Sequence, residues 1–203
     1  MSGFLDKAYG HKPGDEAREL YDDWADTYDD EVRGKGYATP FRCAEALADL
    51  VDDYTAPVLD IGCGTGLSGL ALRGAGFSVI DGVDPSREML KHANTKSVYR
   101  DLSLIDAAAP LKMPPGAYVN AMAAGVLSPG LAPPEAFDQI FDFLPRDGRL
   151  SFSLNDHAIA DGAHEGRLRE IIDAGLVELE FKEYGDHLPG KDMRSYVYVL
   201  RKR

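Results

Sequence analysis

A glycine-rich stretch in the first half of the chain limits most strongly what the protein can fold into. Residues 58–69 read VLDIGCGTGLSG, and the first four of them form a short, largely apolar run that is typical of a buried strand. The glycines at 62, 64 and 66 predict a tight turn, since a backbone that bends so sharply needs residues free to adopt positive φ. With a helix expected next, the stretch predicts a nucleotide-type pocket at the carboxyl end of the first strand of an α/β sheet.

The spacing of these glycines narrows the kind of ligand. A dinucleotide-binding turn has the pattern G-x-G-x-x-G, which would put its third glycine where this chain has Leu67. A P-loop is not predicted either, because no Gly-Lys-Ser/Thr follows the turn. Two acids accompany the glycines instead. Asp60 precedes them, and Asp84 ends a second predicted strand that begins near Ser78.

The glycine spacing, the acid before it and the segment DGVDPS at 81–86 together resemble the class I S-adenosylmethionine-dependent methyltransferases. The ammonium and sulfonium groups of that cofactor are cationic, which suits a carboxylate at Asp60. Its ribose hydroxyls can donate to a strand-end carboxylate such as Asp84. The resemblance implies an α/β fold of Rossmann-like type: a three-layer sandwich with a seven-stranded, mostly parallel sheet, an antiparallel C-terminal hairpin and N-terminal capping helices.

The same resemblance assigns a set of cofactor-binding positions. Ser86 and Met89 match residues that flank the adenosine, and Asp101, at the end of a third strand predicted over 97–100, matches an acceptor for the adenine amine. A helix cap or turn residue is the alternative for Asp101, and a glycine turn needed only for packing is the alternative for the loop. The expected cofactor contacts are Tyr28, Asp60, Gly62, Cys63, Gly64, Gly66, Asp84, Pro85, Ser86, Met89, Asp101, Leu102, Ala124 and Gly125.

An acidic helix is predicted from Asp15 to about Val32, with aromatic side chains on one face. Its phrase YDDWADTYD resembles the N-terminal segment of small-molecule methyltransferases of the Williams–Beuren-region type, in which this helix closes over the cofactor and part of the substrate pocket. Ordinary core packing is the alternative, above all for its tryptophan. The expected substrate contacts are Tyr21, Trp24, Leu127 and Asn155.

Methyl transfer from a sulfonium is an in-line displacement, so the protein mainly has to align donor and acceptor and exclude water. A general base is needed only when the acceptor must lose a proton. The candidates are His157, His164 and His187, since imidazole titrates near neutrality. We expect His157 in a loop after the fifth strand and His187 in the loop of the C-terminal hairpin. His157 is the best-placed candidate for the catalytic residue, because it lies just beyond a fifth strand predicted over 149–155, and a surface or hydrogen-bonding histidine is the alternative. No metal site is predicted, since these histidines and their acidic neighbours lack a recognisable ligand spacing.

Composition sets the wider class. With 22 basic and 34 acidic residues the net charge is −12, which disfavours nucleic acid as a substrate. A fourth strand predicted over 117–125 is followed by GVLS, not by the Pro-Pro-aromatic pattern typical of enzymes that methylate base amines. We therefore expect a small-molecule acceptor, of which the acceptor atom stays open.

Size and cysteine content complete the expectations. The 203 residues predict one methyltransferase domain, 1–203, with a helical cap over 1–54 and a Rossmann-like core over 55–203. Two cysteines favour a reduced, cytoplasmic setting, and no signal peptide or membrane span is predicted. A monomer or weak homodimer is expected. Two other functions stay open: a nicotinamide-dependent oxidoreductase, for which Asp84 is suitably placed, and a non-catalytic S-adenosylmethionine-binding protein.

Overall fold

The computed structural model describes residues 15–203, so the expected first part of the cap, residues 1–14, lies outside the described chain. The helices are α1 (Asp15–Arg33), α2 (Thr39–Ala48), α3 (Leu67–Gly74), α4 (Arg87–Thr95), α5 (Ala136–Phe143), α6 (Asp156–Asp161) and α7 (Ala163–Asp173). The strands are β1 (Val58–Ile61), β2 (Ile80–Asp84), β3 (Asp101–Leu104), β4 (Asn120–Ala123), β5 (Arg149–Asn155), β6 (Val177–Leu188) and β7 (Met193–Lys202).

The strands form one seven-stranded sheet in the order β3-β2-β1-β4-β5-β7-β6. The first five strands in chain order pair in parallel, and β7 pairs antiparallel with both β5 and β6. Every residue of β1, β2 and β4 is buried, as expected for parallel strands covered on both faces. The predicted Rossmann-like fold, with its antiparallel C-terminal hairpin and N-terminal helices, is confirmed.

Alternating side chains of the central strands separate two cores. Leu59 and Ile61 of β1 belong to the core that contains Phe137 and Ile140 of α5. Val58 belongs to the opposite core, with residues of α2 and α3. Because side chains alternate along a strand, Asp60 points into this second, apolar core and not toward the first.

Several predicted boundaries need correction. The third strand does not span 97–100. It begins at Asp101. Before it, Ser97 has a positive φ of 53° just after α4, and the Arg100 amide donates to the Ile80 carbonyl at 2.7 Å. The predicted fourth strand is shorter at both ends, since β4 spans only Asn120–Ala123.

The C-terminal half differs in two places that affect the site. Helix α6 directly follows β5, where a loop was expected, because the Asn155 side chain accepts from the Ala158 amide at 3.0 Å and caps a new helix. Strand β6 runs on to Leu188 through two irregularities in its register, so His187 lies on a strand and not in the hairpin loop. Residues 105–119, between β3 and β4, contain neither helix nor strand.

Candidate active site

A cavity of about 330 Å³ opens where the parallel strands end, under helix α1. Its walls come from α1, the glycine loop, the end of β2, the loop after β3, the residues after β4 and one face of α5. Ten residues named from the sequence line it together: Tyr21, Tyr28, Gly62, Gly64, Asp84, Pro85, Met89, Ala124, Gly125 and Leu127. The carboxyl edge of the sheet therefore gathers most of the predicted positions in one place.

The glycine loop approaches its neighbours too closely for a side chain. Gly62 has a φ of +64°, and a Cβ there would lie 2.5 Å from Cγ2 of Val126. At Gly64, also at positive φ, a Cβ would meet nothing within 4 Å, so the free space of the cavity reaches its backbone. Gly62 therefore lets Val126 pack on the loop, whereas Gly64 leaves room for a ligand.

Asp84 is held by the loop that it faces. Its Oδ2 accepts from the Gly64 amide and its Oδ1 accepts from the Ser86 amide, both at 2.8 Å. The residue is only 7% exposed, and this burial raises the pKa of its carboxyl to about 6. Ser86 does not line the cavity. Its Oγ accepts from the Met89 amide, capping α4, and donates to Asp22 of α1 at 2.5 Å.

Asp60 lies beneath the glycine loop and is not among the residues that line the cavity. Its Oδ2 accepts from Ser68 at 2.6 Å and from Tyr99 at 2.7 Å, whereas its Oδ1 has no hydrogen-bond partner among the described residues. Complete burial raises the pKa of this carboxyl to about 7. The expectation that Asp60 faces a cation directly is thus corrected. It can act on the cavity only as a charge below the loop.

Two further loop residues also face away from the cavity. Cys63 is buried, and its Sγ would lie 2.9 Å from a Cβ added to Gly82 on the neighbouring strand. Gly66 takes a φ of 93° as the residue that caps α3, close to Ala93. Both shape the turn from behind, so the expected cofactor contacts of these two positions are not seen in the lining.

Asp101, the acid predicted at the adenine position, is not among the residues that line the cavity. Asp101 and Leu102 open β3, at the edge of the sheet away from the cavity, and Asp101 accepts from Ser103 at 3.1 Å. Because β3 begins at Asp101 and ends at Leu104, the carboxylate beyond its carboxyl end is Asp106, which lines the cavity. The strand was predicted over 97–100 but spans Asp101–Leu104, so the prediction named an acid at the start of β3 and not one beyond its end. A strand of four residues gives little sequence signal for its boundaries.

Helix α1 is fastened to the parts of the site that its acids face. Asp22 accepts from Ser86, and Asp29 accepts from Thr65 of the glycine loop at 2.5 Å. The ammonium of Lys96 lies 2.8 Å from Asp29 and also donates to the Thr65 carbonyl at 2.6 Å. Part of the acidic face of this helix is therefore a set of anchors and not only a solvated surface.

A smaller chamber adjoins the cavity below α1. The two share Tyr21, Tyr28, Tyr37, Gly125 and Leu131. The chamber is otherwise lined by Trp24, Val32, Ser128, Asn155, His187 and Leu188. Trp24 is 1% exposed and packs with Val32 and Leu188, and it also lines the chamber, so its substrate contact stays a prediction.

The three candidate histidines occupy different environments. His157 is exposed in the first turn of α6, turned outward by the Asn155 cap, and is not among the residues that line the cavity or the chamber. The expectation that it faces the ligand is corrected. His164 is buried, with its Nε2 2.9 Å from the Ala132 carbonyl. His187 is 3% exposed and is the one of the three candidate histidines that lines the chamber.

A family model described as a methyltransferase domain matches residues 37–188, most of the chain. The chain belongs to this family. Methyltransferase-like protein 27 of Homo sapiens is 35% identical over 124 residues, which cover 60% of this chain and 51% of the human protein. The chain thus spans about half the length of that curated relative. An uncharacterized methyltransferase of Bacillus pumilus is 29% identical over 191 residues, 91% of this chain and 88% of the relative.

Solved structures share the fold of this methyltransferase. An S-adenosylmethionine-dependent methyltransferase structure from Listeria monocytogenes has a TM-score of 0.59 at 15% identity and covers 79% of this chain and 98% of that chain. A geranyl diphosphate methyltransferase with geranyl diphosphate and sinefungin has a TM-score of 0.61 at 14% identity and covers 79% and 76%. The [4+2]-cyclase SpnF has a TM-score of 0.57 at 21% identity and covers 78% and 80%.

These comparisons confirm the class I resemblance, and S-adenosyl-L-methionine is the expected cofactor. The cavity fits a group of that chemistry. The open space at Gly64 would accept a ligand against the backbone, and the carboxylate of Asp84 supplies an acceptor. Within residues 15–203, no cluster of three or more His, Cys, Asp or Glu could hold a metal ion, and no helix has the length and apolar character needed to cross a membrane.

Proposed function

We propose that this methyltransferase transfers the methyl group of S-adenosylmethionine to a small molecule held under α1. The observation that carries the proposal is that the cavity at the strand ends and the chamber beside Gly125 are adjacent and share five lining residues. The cavity, at about 330 Å³, has the size of a small-molecule site. The net charge of −12 also favours a small acceptor over a nucleic-acid backbone.

The cofactor half is assigned from the lining. Asp84 would accept from the ribose hydroxyls, because both of its oxygens are already oriented by backbone amides and each keeps a second lone pair. Asp106 would accept from the adenine amine, and Met89 and Ile105 supply apolar walls nearby. The backbone at Gly64 would lie against the methionine part. This assignment replaces Asp101 and Leu102 and keeps the other lining residues predicted from the sequence.

The chemistry asked of the protein is mainly positioning. When bound, the sulfonium supplies an already activated methyl group, so the described residues have to orient the acceptor and exclude water. Gly125 suits this task, since a Cβ there would lie 2.5 Å from the hydroxyl oxygen of Tyr37 and would crowd the passage between cavity and chamber. Tyr21 and Tyr28 of α1 line both spaces, and Trp24 lines the chamber.

The cap explains how acceptor and cofactor sites are kept together. The contacts of Asp22 with Ser86 and of Asp29 with Thr65 connect α1 to both loops that would hold the cofactor. We infer that residues up to 54 act as a lid-like cap on a core from residue 55 onward, in one domain. A cytoplasmic location and a monomer or weak homodimer stay predictions from the sequence.

Two measurements test the function in turn. Calorimetry should show saturable binding of S-adenosylmethionine and of S-adenosylhomocysteine to the folded protein, and absence of binding would refute the proposal. A metabolite extract incubated with methyl-labelled cofactor should then yield a labelled small molecule, identified by mass spectrometry. Binding without labelled product from any extract would favour the non-catalytic alternative.

A further inference from the structure

Besides three tyrosines and a tryptophan, the residues that line the chamber include Ser128, Asn155 and His187. All three residues are buried, with exposures of 6%, 6% and 3%. The orientation of their donors and acceptors follows from what lies behind them. It decides which chemical group of an acceptor molecule the chamber can bind.

Behind His187 runs a chain of hydrogen bonds that ends at a charge. Nδ1 of the ring lies 2.7 Å from Oγ1 of Thr39, and that hydroxyl lies 3.3 Å from Oγ of Ser195. The guanidinium of Arg42 donates to the same Ser195 oxygen at 3.2 Å. Thr39 and Ser195 are both 0% exposed, so each hydroxyl proton needs a partner within the protein.

The direction of this chain is fixed by its charged end. A guanidinium can only donate, so the Ser195 oxygen accepts from Arg42 and its own proton is free to go to Thr39, its remaining hydroxyl neighbour. The Thr39 proton then goes to Nδ1 of His187. In the reverse direction, the Ser195 proton would have no hydrogen-bond acceptor among the described residues, which is unfavourable for a buried hydroxyl.

An accepting Nδ1 determines what the ring presents to the chamber. Burial lowers the pKa of His187 to about 4, with Asp156 acting in the opposite sense and Arg42 and His157 reinforcing the shift, so the ring is neutral at physiological pH. A neutral ring that accepts at Nδ1 carries its proton on Nε2. Nε2 bonds to no described residue, and it is not fully enclosed by protein atoms. Because His187 lines the chamber, the chamber is the space that Nε2 can reach.

Asn155 presents donors in the same way. Its Oδ1 accepts from the Ala158 amide at 3.0 Å, which fixes the amide orientation and leaves Nδ2 with no partner among residues 15–203. Like Nε2 of His187, Nδ2 of Asn155 is not fully enclosed by protein atoms. The Ser128 hydroxyl can donate or accept. The polar lining contributed by the histidine and the asparagine is therefore made of donors alone.

We propose that this chamber binds the acceptor molecule through an oxygen that accepts hydrogen bonds, a carboxylate or a carbonyl, with Nε2–H of His187 and Nδ2–H of Asn155 as the donors. The proposal rests on the proposed function, since it names the class of molecule that the methyltransferase would use. It also assigns His187 a binding role and not that of a general base, because the nitrogen that faces the chamber already carries a proton.

The tautomer is tested by NMR of protein with ¹⁵N-labelled histidine. We expect His187 to show a protonated Nε2 and an unprotonated Nδ1 at neutral pH. Thr39→Val removes the donor to Nδ1, so the Nδ1 resonance should move toward that of an unbonded ring nitrogen while Nε2 keeps its proton, and Thr39→Ser should restore the wild-type shift. A proton on Nδ1 in the wild type, or an Nδ1 resonance that Thr39→Val leaves unaltered, would overturn the hydrogen-bond direction.

Binding is tested on the same sample, saturated with S-adenosylhomocysteine, using three probes of similar size. Benzoate and acetophenone offer a carboxylate and a carbonyl, and benzylamine offers a cation that can only donate. We expect benzoate, acetophenone or both to shift the His187 Nε2–H and Asn155 side-chain amide signals, with the stronger of the two identifying the source of the oxygen, and benzylamine to leave them unchanged.

Asn155→Asp supplies the matched variant, because aspartate still caps α6 but has no N–H to donate. It should weaken binding of the effective probe by roughly tenfold or more. Shifts from benzylamine alone, or from none of the probes, would contradict the proposal, as would Asn155→Asp with unaltered affinity. Failure of S-adenosylhomocysteine to bind would instead refute the proposed function, so the two outcomes are distinguishable.

Discussion

The cofactor side and the acceptor side of the cavity are built in different ways. On the cofactor side, Gly64 and Asp84 are 20 residues apart and meet because β1 and β2 are adjacent parallel strands. On the acceptor side, Thr39 and His187 are 148 residues apart and meet only when β6 folds back beside the cap. A site made by adjacent strand ends carries its signature in a short stretch of sequence, whereas a site made by distant packing carries none.

The largest effect is expected from Gly62→Ala, which would break the cofactor side at its turn. A Cβ at a φ of +64° and 2.5 Å from Val126 must displace the residue after β4, and left-handed backbone alone costs a non-glycine residue about 1–2 kcal/mol. We expect a lower melting temperature and loss of measurable cofactor binding by calorimetry. Gly74→Ala, which meets nothing within 4 Å, is the control and should retain both. A Gly62→Ala protein with unaltered affinity would contradict the loop assignment.

The second largest effect on cofactor binding is expected from Asp84→Ala. Loss of a paired, charged acceptor for the ribose is expected to weaken cofactor binding by about 2–3 kcal/mol. Asp81→Ala is the matched control at the other end of β2, where the carboxylate pairs with Arg100 far from the cavity. That variant should lower stability without altering the cofactor affinity. Equal losses of affinity in the two variants would remove Asp84 from the site.

A smaller effect separates the two acids near β3. Asp106→Ala should weaken binding of the cofactor by about 1 kcal/mol, because an exposed carboxylate loses one hydrogen bond to the adenine amine. Asp101→Ala, an exposed acid at the opposite end of the strand, should leave the affinity unchanged. The reverse order of effects, measured by the same calorimetry, would restore the assignment made from the sequence.

Asp60 should make cofactor binding depend on pH. With a pKa of about 7, its carboxyl is neutral at lower pH and becomes anionic as the pH rises, so the affinity for the cationic sulfonium should increase from pH 6 to 8. One proton limits the gain to at most about tenfold per pH unit. Asp84, whose carboxyl has a pKa of about 6, adds a dependence of its own for both cofactors. Asp60→Asn should therefore remove only the part of the profile that Asp60 causes, and the neutral sulfur of S-adenosylhomocysteine should give a weaker dependence in the wild type. Identical profiles for both cofactors would exclude this role.

The same shift has the opposite sign for stability without ligand. The folded pKa of Asp60 lies above the ordinary value of 3.8, so the folded protein holds a proton that the unfolded chain has released. Its contribution to the free energy of unfolding is therefore largest at low pH and is lost as the pH rises through about 7. The melting temperature of the ligand-free wild type should therefore fall more steeply than that of Asp60→Asn as the pH rises from 3.8 to about 7.

The smallest effect is expected from His157→Ala. The side chain is exposed on α6 and is not among the residues that line the cavity or the chamber, so turnover with an identified acceptor should stay within the error of the assay. Circular dichroism would confirm that α6 is retained. A marked fall in turnover would show that α6 moves toward the acceptor and would return His157 to the catalytic position predicted from the sequence.

The contrast between the two sides also explains what the sequence could reveal. The apolar run before Gly62 and the acid at Asp84 are local patterns. The sheet that they predict is confirmed, and the cavity lies at the strand ends where the sequence predicts the pocket. Asp101 was misplaced because β3 has four residues, too few for alternation to fix where it begins. His187 was placed in a loop because β6 is irregular between Leu179 and Phe181 and again between Asp186 and Leu188, which breaks the alternating pattern.

The hydrogen-bond chain behind His187 and the cap contacts of α1 were beyond any local pattern. Both depend on side chains from separate elements that meet only in the folded protein, such as Arg42 with Ser195 and Asp29 with Thr65. Acidic residues on a predicted helix are most often solvated, and nothing in the sequence separates anchoring acids from the rest.

A crystal structure with S-adenosylhomocysteine would show whether the cavity at the strand ends is the cofactor site. We expect the ribose at the Asp84 carboxylate, the adenine between Met89 and Ile105, and the sulfur directed toward Gly125 beside the chamber. A ligand bound elsewhere, or a cavity filled by the protein's own side chains at saturating ligand, would contradict it.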